Sequence, residues 1–135
     1  MNTPVVDACV FEAPEQPNTA AHRRVPRYRT NFWLSVRDCR KGNLRAHCFV
    51  IAEGGLGASL PEVIEVGSAV QLRFLLPTHP DPTLMNVGAM VRNQLHQHHG
   101  FEFLSLSEDQ RWSLRQFCDQ LASEQSRQEF VCAHV

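Results

Sequence analysis

From Tyr28 onward, short apolar-rich stretches are separated by turn signals, and the hydrophobic period changes only near the end of the chain. Tyr28–Val36 is rich in aromatic and branched side chains and is followed by the turn signal Lys41-Gly42-Asn43. Leu44–Ile51 reads as a second strand. Here Leu44, Ala46, Cys48, Val50 and Ala52 fall at alternate positions and are all apolar or small, with Arg45 and His47 in the opposite phase. Leu56–Leu60 is a short third strand that stops at Pro61. Ala69–Leu76 alternates and stops at Pro77, and Pro80 and Pro82 make the next stretch a loop. Leu84–Leu95 and Gly100–Leu104 complete the set. Six short strands with turns between them predict a mainly β architecture, a barrel or a sandwich.

Beyond these strands the period becomes helical. Ser107-Glu108-Asp109-Gln110 has the spacing of a capping box, in which the hydroxyl caps the helix and the Gln110 side chain reaches back. Leu114, Phe117, Cys118 and Leu121 then fall at i, i+3, i+4 and i+7, one apolar face of a packing helix. The acidic residues of its first turn suit the helix dipole. Residues 1–20, rich in Pro, Asn, Thr, Ala and Glu, predict a flexible N-terminal tail, whose Val5, Val6, Val10 and Phe11 could rest on the domain. The domain is expected over 21–123. Residues 124–135 read as a C-terminal tail, with the end of the helix left open after Ser123.

Composition narrows the function classes. A chain of 135 residues supports one domain with a real core. Its formal net charge of -1 argues against bulk attraction to nucleic acid or to an acidic membrane. No apolar run of about 18 residues predicts a membrane-spanning helix, and the first 20 residues, with Asp7, Glu12 and Glu15 and no basic start, do not read as a secretory signal. Cys9, Cys39, Cys48, Cys118 and Cys132 are odd in number, scattered and free of C-x-x-C spacing. They predict small buried hydrophobes or surface thiols in a reducing cytoplasm.

Against this near-neutral background, Arg23, Arg24, Arg27 and Arg29 crowd into one short run, His22-Arg23-Arg24-Val25-Pro26-Arg27-Tyr28-Arg29. Guanidinium groups present planar forks that match phosphate oxygens and the acceptor edge of guanine. Pro26 disfavours continuing the run as a helix. The segment therefore reads either as an ordered anion clamp leading into a strand or as a solvated basic linker. About two dozen residues later comes Val50-Ile51-Ala52-Glu53-Gly54-Gly55-Leu56-Gly57, where Gly54 and Gly55 supply a turn or a close backbone approach.

The arginine pair, one strand, this glycine turn, and a barrel-like pattern ending in a capped helix together resemble the PilZ domain. That family combines R-x-x-x-R with a later D/N-x-S-x-x-G on a small barrel and binds the bacterial second messenger cyclic di-GMP. The resemblance runs from Arg23 to Leu121. It implies a single antiparallel six-stranded β-barrel with a C-terminal α-helix, a signalling domain and not an enzyme, with cyclic di-GMP and an unidentified protein as partners. A motility or surface-attachment role is implied by the resemblance alone. Arg23 and Arg27 match the motif arginines, Arg24 matches the arginine often found between them, and Gly55 matches the motif glycine. Val50 stands where the family has Asp or Asn, and Ala52 where it has Ser.

This departure has a definite cost. A carboxylate or amide at position 50 accepts from the N1–H and N2–H of guanine, and a hydroxyl at 52 bonds a ligand oxygen; Val50 and Ala52 do neither. An unpaired donor costs roughly 1–3 kcal/mol. Two losses come to about 2–6 kcal/mol, or roughly one and a half to four decades of affinity. The expectation is weakened nucleotide binding, with an interaction module that no longer binds the nucleotide as the alternative. The alternation of Leu44, Ala46, Cys48, Val50 and Ala52 offers a plain packing account, in which Val50 is the last core-facing residue of its strand.

Other constellations carry less. His96, His98 and His99 sit at adjacent and alternate positions, with His79 elsewhere, and no carboxylate or thiolate at ligand spacing; they read as a solvated hairpin turn. No nucleophile elbow, P-loop or dinucleotide fingerprint appears. Trp33 and Trp112 are expected in the core. Neither a metal nor a resident cofactor is expected, and neither are nucleic acid binding and membrane insertion.

Overall fold

The computed structural model describes residues 25–133, with side chains through Arg127. The arginines Arg23 and Arg24 and the N-terminal tail lie outside the described residues. Six antiparallel strands, β1 (Tyr28–Asp38), β2 (Gly42–Ala52), β3 (Gly55–Ser59), β4 (Ala69–Leu76), β5 (Thr83–Leu95) and β6 (His98–Phe103), close into a barrel in the order β1-β2-β3-β6-β5-β4. One helix, α1 (Glu108–Ala133), follows. The predicted six-stranded barrel with its C-terminal helix is the observed fold. The helix continues well past Ser123, where no Gly or Pro supplies a stop.

Alternation builds the wall. In β4, Val70, Leu72, Phe74 and Leu76 point inward while Gln71, Arg73 and Leu75 face out. The β1–β2 turn is set by the buried Asp38, whose carboxylate accepts from the Arg40 and Lys41 amides at 3.0 Å each, and by Gly42 at φ 76°. Closure pairs every strand on both sides over part of its length, the β1–β4 seam being the shortest, Leu34–Arg37 against Gln71–Phe74.

Both ends of the barrel are plugged. At one end the β3–β4 connection buries Leu60 and Ile64. It is tied down by the Leu60 amide donating to the Gln97 carbonyl (2.9 Å) and the Gly67 amide donating to the Val91 carbonyl (2.8 Å). His99, expected in a solvated turn, is buried there instead. Its Nε2 accepts from the Ile64 amide at 2.9 Å, so its Nδ1 is the nitrogen that donates to the Gln97 carbonyl at 2.8 Å. Burial lowers its pKa from 6.5 and keeps the ring neutral. At the other end α1 buries Leu114, Phe117, Cys118 and Leu121. Phe117 meets Phe32 edge-on at 6.3 Å, and Phe32 stacks on Phe74 at 5.3 Å. The capping box forms as predicted: Ser107 Oγ accepts from the Gln110 amide (3.1 Å), and Gln110 Oε1 accepts from the Ser107 amide (3.0 Å).

The two tryptophans correct the sequence reading. Trp33 is 55% exposed and Trp112 61% exposed. Trp33 lies between the inward residues Phe32 and Leu34, so strand phase turns it outward. Trp112 precedes the Leu114 face by two positions, which on a helix is the far side.

Candidate nucleotide site

Strand register sets the start of β1 beside the end of β2. Tyr28 pairs with Ile51 and Arg29 with Val50, while Ala52 pairs with Gly55. Arg27 lies one residue before the start of β1, at the end of the barrel where β2 finishes at Ala52. Arg27 and Arg29 are both exposed. Of the arginine run, Arg29 thus lies on the strand next to Val50, and Arg27 just ahead of it.

A β-bulge decides which way that surface faces. The β2–β3 register shifts between Cys48 and Val50, with Phe49 as the extra residue. Before the bulge Leu44, Ala46 and Cys48 are inward; after it Ile51 is the buried residue, and Val50 and Ala52 are half-buried. The packing account of Val50 as the last core-facing residue therefore fails. The regular alternation 44, 46, 48, 50, 52 is broken at Phe49, and positions 50 and 52 fall in the outward phase beside the arginine segment.

Gly55 has a structural reason to be glycine. A Cβ there would lie 2.1 Å from the Phe101 carbonyl oxygen, a backbone atom of β6, across the pairing of Gly55 with Glu102. The side-chain-free position lets β3 approach β6. Neither Gly54 nor Gly55 has positive φ, so of the two roles expected for the pair, close approach is the one Gly55 fulfils. A Cβ on Gly54 would meet nothing within 4 Å.

The helix reaches this same corner through residues that no sequence motif announces. Gln125 Nε2 donates to the Arg29 carbonyl at 2.8 Å. Arg115 Nε lies 3.7 Å from Glu53 Oε1, both exposed, a pair worth about 0–1 kcal/mol. Burial, and then the carboxylates of Glu53 and Asp119, push the Cys118 thiol up to about 12. Tyr28 is likewise raised, first by burial and then by Cys118, Asp119 and Glu53. Tyr28, Glu53, Cys118 and Asp119 thus share one neighbourhood where β1, the glycine turn and α1 meet. Such contacts depend on how the helix lies across the barrel, which local spacing does not encode.

The side chains at this corner suit recognition. The guanidinium groups offer forks for phosphate or for the acceptor edge of a purine. Val50 and Ala52 add apolar surface and no side-chain acceptor. Burial raises the Cys48 thiol to about 12, and its Sγ donates to the Val50 carbonyl at 3.3 Å, so it is not a thiolate nucleophile. Among the described residues no group of three or more His, Cys, Asp or Glu gathers as metal ligands would. Nor is any described helix long and apolar enough to cross a membrane.

The chain belongs to the PilZ domain family, whose sequence profile matches residues 21–120. Solved structures with the same fold include the Bacillus subtilis inhibitor of motility MotI/DgrA. It is 17% identical with a TM-score of 0.65, and the match covers 73% of this chain and 50% of MotI. The PilZ domain of Escherichia coli YcgR with c-di-GMP is 14% identical with a TM-score of 0.60, covering 79% of this chain and 96% of that domain. The PilZ domain of CeSA from a cellulose-synthesizing bacterium is 13% identical with a TM-score of 0.53, covering 74% and 98%. The match thus spans about half the length of MotI and nearly all of the isolated PilZ domains. A comparison with curated proteins gave no match.

Proposed function

We propose that this domain is a cyclic di-GMP receptor of reduced affinity, acting as a signalling module in the bacterial cytoplasm and not as an enzyme. The observation that supports this reading is the register of β1 and β2, in which Arg29 pairs with Val50 and Tyr28 with Ile51, next to Arg27 in sequence. Arg23, Arg24 and Arg27 hold the phosphates and the guanine edge through charge-assisted bonds. Val50 and Ala52 contribute contact area alone, and the missing acceptor and hydroxyl cost about 2–6 kcal/mol relative to a site that has both. Gly55 shapes the wall and does not itself bond the ligand.

Closure of the arginine segment over the nucleotide supplies the signal. Gln125 on the Arg29 carbonyl and Arg115 at Glu53 connect α1 to both sides of the site, so a ligand held there bears directly on the helix. The output is a changed surface for a protein partner. The absence of any side-chain acceptor at positions 50 and 52 favours the second reading, an interaction module that has lost the ligand. Calorimetric titration with cyclic di-GMP separates the two: saturable binding that depends on Arg27 supports the receptor, and no heat at any concentration supports the module.

A further inference from the structure

The exposed faces of β1, β4 and β5 carry an apolar stripe that contributes little to the core. Trp33 (55% exposed), Leu75 (57%) and Leu84 (56%) lie on three neighbouring strands. The pairings Leu34 with Phe74 and Leu75 with Leu84 set the three side chains in one row across the barrel. With Arg45 and Arg73 they line a shallow depression of about 630 Å³. The Arg45 guanidinium sits 4.2 Å from the centre of the Trp33 ring, and His47 meets the ring edge.

Charge on this surface is one-sided. The exposed positions of β1, β2, β4 and β5 include Arg29, Arg37, Arg45, Arg73 and Arg92 and not one Asp or Glu. The single carboxylate within those strands, Asp38, is buried and occupied by backbone amides. Arg92 is paired with Glu102 of β6, and the turn residues Arg40 and Lys41 pair with Glu65 and Glu62. Among the described residues, no carboxylate pairs with Arg45 or Arg73, which flank the stripe. In a chain of net charge -1, such a face is specific.

We propose that this face docks an acidic amphipathic helix of a partner protein. Its anchor would be Trp33, because exposed Trp beside Arg is the composition of interface hot spots. Leu34–Arg37 of β1 pair with β4 and all of β4 pairs with β5, which leaves this face to be read through its side chains. Adjacent strands are about 4.8 Å apart, so the row from Trp33 to Leu84 spans roughly 10 Å. Residues i, i+3/i+4 and i+7 of a helix cover about the same length, roughly 10.5 Å. Three apolar side chains of that helix meet Trp33, Leu75 and Leu84, and flanking carboxylates meet Arg45 and Arg73. The aliphatic leucines suit a protein better than stacked bases. The proposal stands apart from nucleotide binding, since none of these residues belongs to the arginine–Val50 site.

The test uses the full chain with Trp112→Phe, which leaves Trp33 as its one tryptophan. The probe is a synthetic helical peptide of about 18 residues with Leu at i, i+3 and i+7 and Glu on both flanks. The control peptide carries Lys in place of Glu. The expected result is a saturable change in Trp33 emission with the acidic peptide alone, with affinity falling as salt rises. The pair Arg45→Glu with Arg73→Glu, and separately Trp33→Ala followed by calorimetry, should each weaken binding roughly tenfold or more at an unchanged melting temperature. If Trp33→Ala does not fold, the charge-reversed pair still decides. The proposal is overturned by the acidic peptide failing to bind, by equal binding of both peptides, by variants that bind like the parent, by preference for a short single-stranded oligonucleotide, or by sedimentation showing self-association that buries Trp33.

Discussion

Replacing Gly55 by alanine, beside the same change at Gly54, separates the wall-building role of the motif glycine from any role in turn conformation. At Gly55 the new methyl carbon would sit 2.1 Å from the Phe101 carbonyl oxygen, 3.2 Å from its carbon and 3.3 Å from Glu102 Cα. All three are backbone atoms of β6, so no rotamer change relieves the contact, and the strands must part by about 1 Å to reach ordinary separation. Overpacking of this kind costs about 1–3 kcal/mol, and a stretched ladder hydrogen bond beside it adds about 1 kcal/mol. The expected loss is about 2–4 kcal/mol. For a domain of this size, at about 4 °C per kcal/mol, the melting temperature should fall by about 8–16 °C. The Gly54 methyl meets nothing within 4 Å and needs no unusual φ, so Gly54→Ala should change stability by less than about 1 kcal/mol and with the favourable sign. Thermal unfolding followed by circular dichroism, with urea titration as a check on the unfolding slope, reads both. Equal midpoints for the two variants would refute the close-approach account of Gly55 and return the glycine to the ligand.

Three further outcomes test other links. Ser107→Ala should cost about 0.5–2 kcal/mol in a urea midpoint, because it removes the hydroxyl that caps the Gln110 amide; an unchanged midpoint would assign the cap elsewhere. His99 has its folded pKa below 6.5, so the unfolded chain takes up its proton first; stability should be full above about pH 6.5 and fall as pH drops below it, and His99→Gln should flatten that part of the profile. The double change Val50→Asp with Ala52→Ser should leave the domain folded, since the bulge turns both positions outward. It should also raise cyclic di-GMP affinity by about a decade or more; a folded double variant without that gain would mean that the barrel half of the site is remodelled beyond those two side chains.

Most of the architecture was legible because each element carried its own period. The strict alternation of Ala69–Leu76 and the helical spacing of Leu114, Phe117, Cys118 and Leu121 both have one dominant burial face, and structure followed pattern. The capping box was legible because both of its bonds are local. The bulge at Phe49 was not, since an inserted residue leaves no mark in composition while reversing the face of Val50 and Ala52. The tryptophans were misplaced by reading hydrophobicity without phase: Phe32, Leu34 and Val36 already claim the inner face that Trp33 cannot share. His99 looked like a turn residue because its two partners, the Ile64 amide and the Gln97 carbonyl, come together only when the β3–β4 connection folds across the barrel. The candidate site is legible in the sequence only through its local spacing. Its arginines and glycine stand out by spacing, whereas the grip of Gln125 and Arg115 on the same corner depends on helix placement.

The central claim is that the arginine segment and the outward Val50–Ala52 face form one nucleotide site. Isothermal titration of cyclic di-GMP into the wild-type chain and into Arg27→Ala, at low and at physiological salt, tests it most directly. The account predicts saturable binding by the wild type that weakens as salt rises, and no detectable binding by Arg27→Ala, because recognition rests on charge-assisted guanidinium contacts. Equal affinity for the two proteins, or a wild-type affinity indifferent to salt, would contradict it.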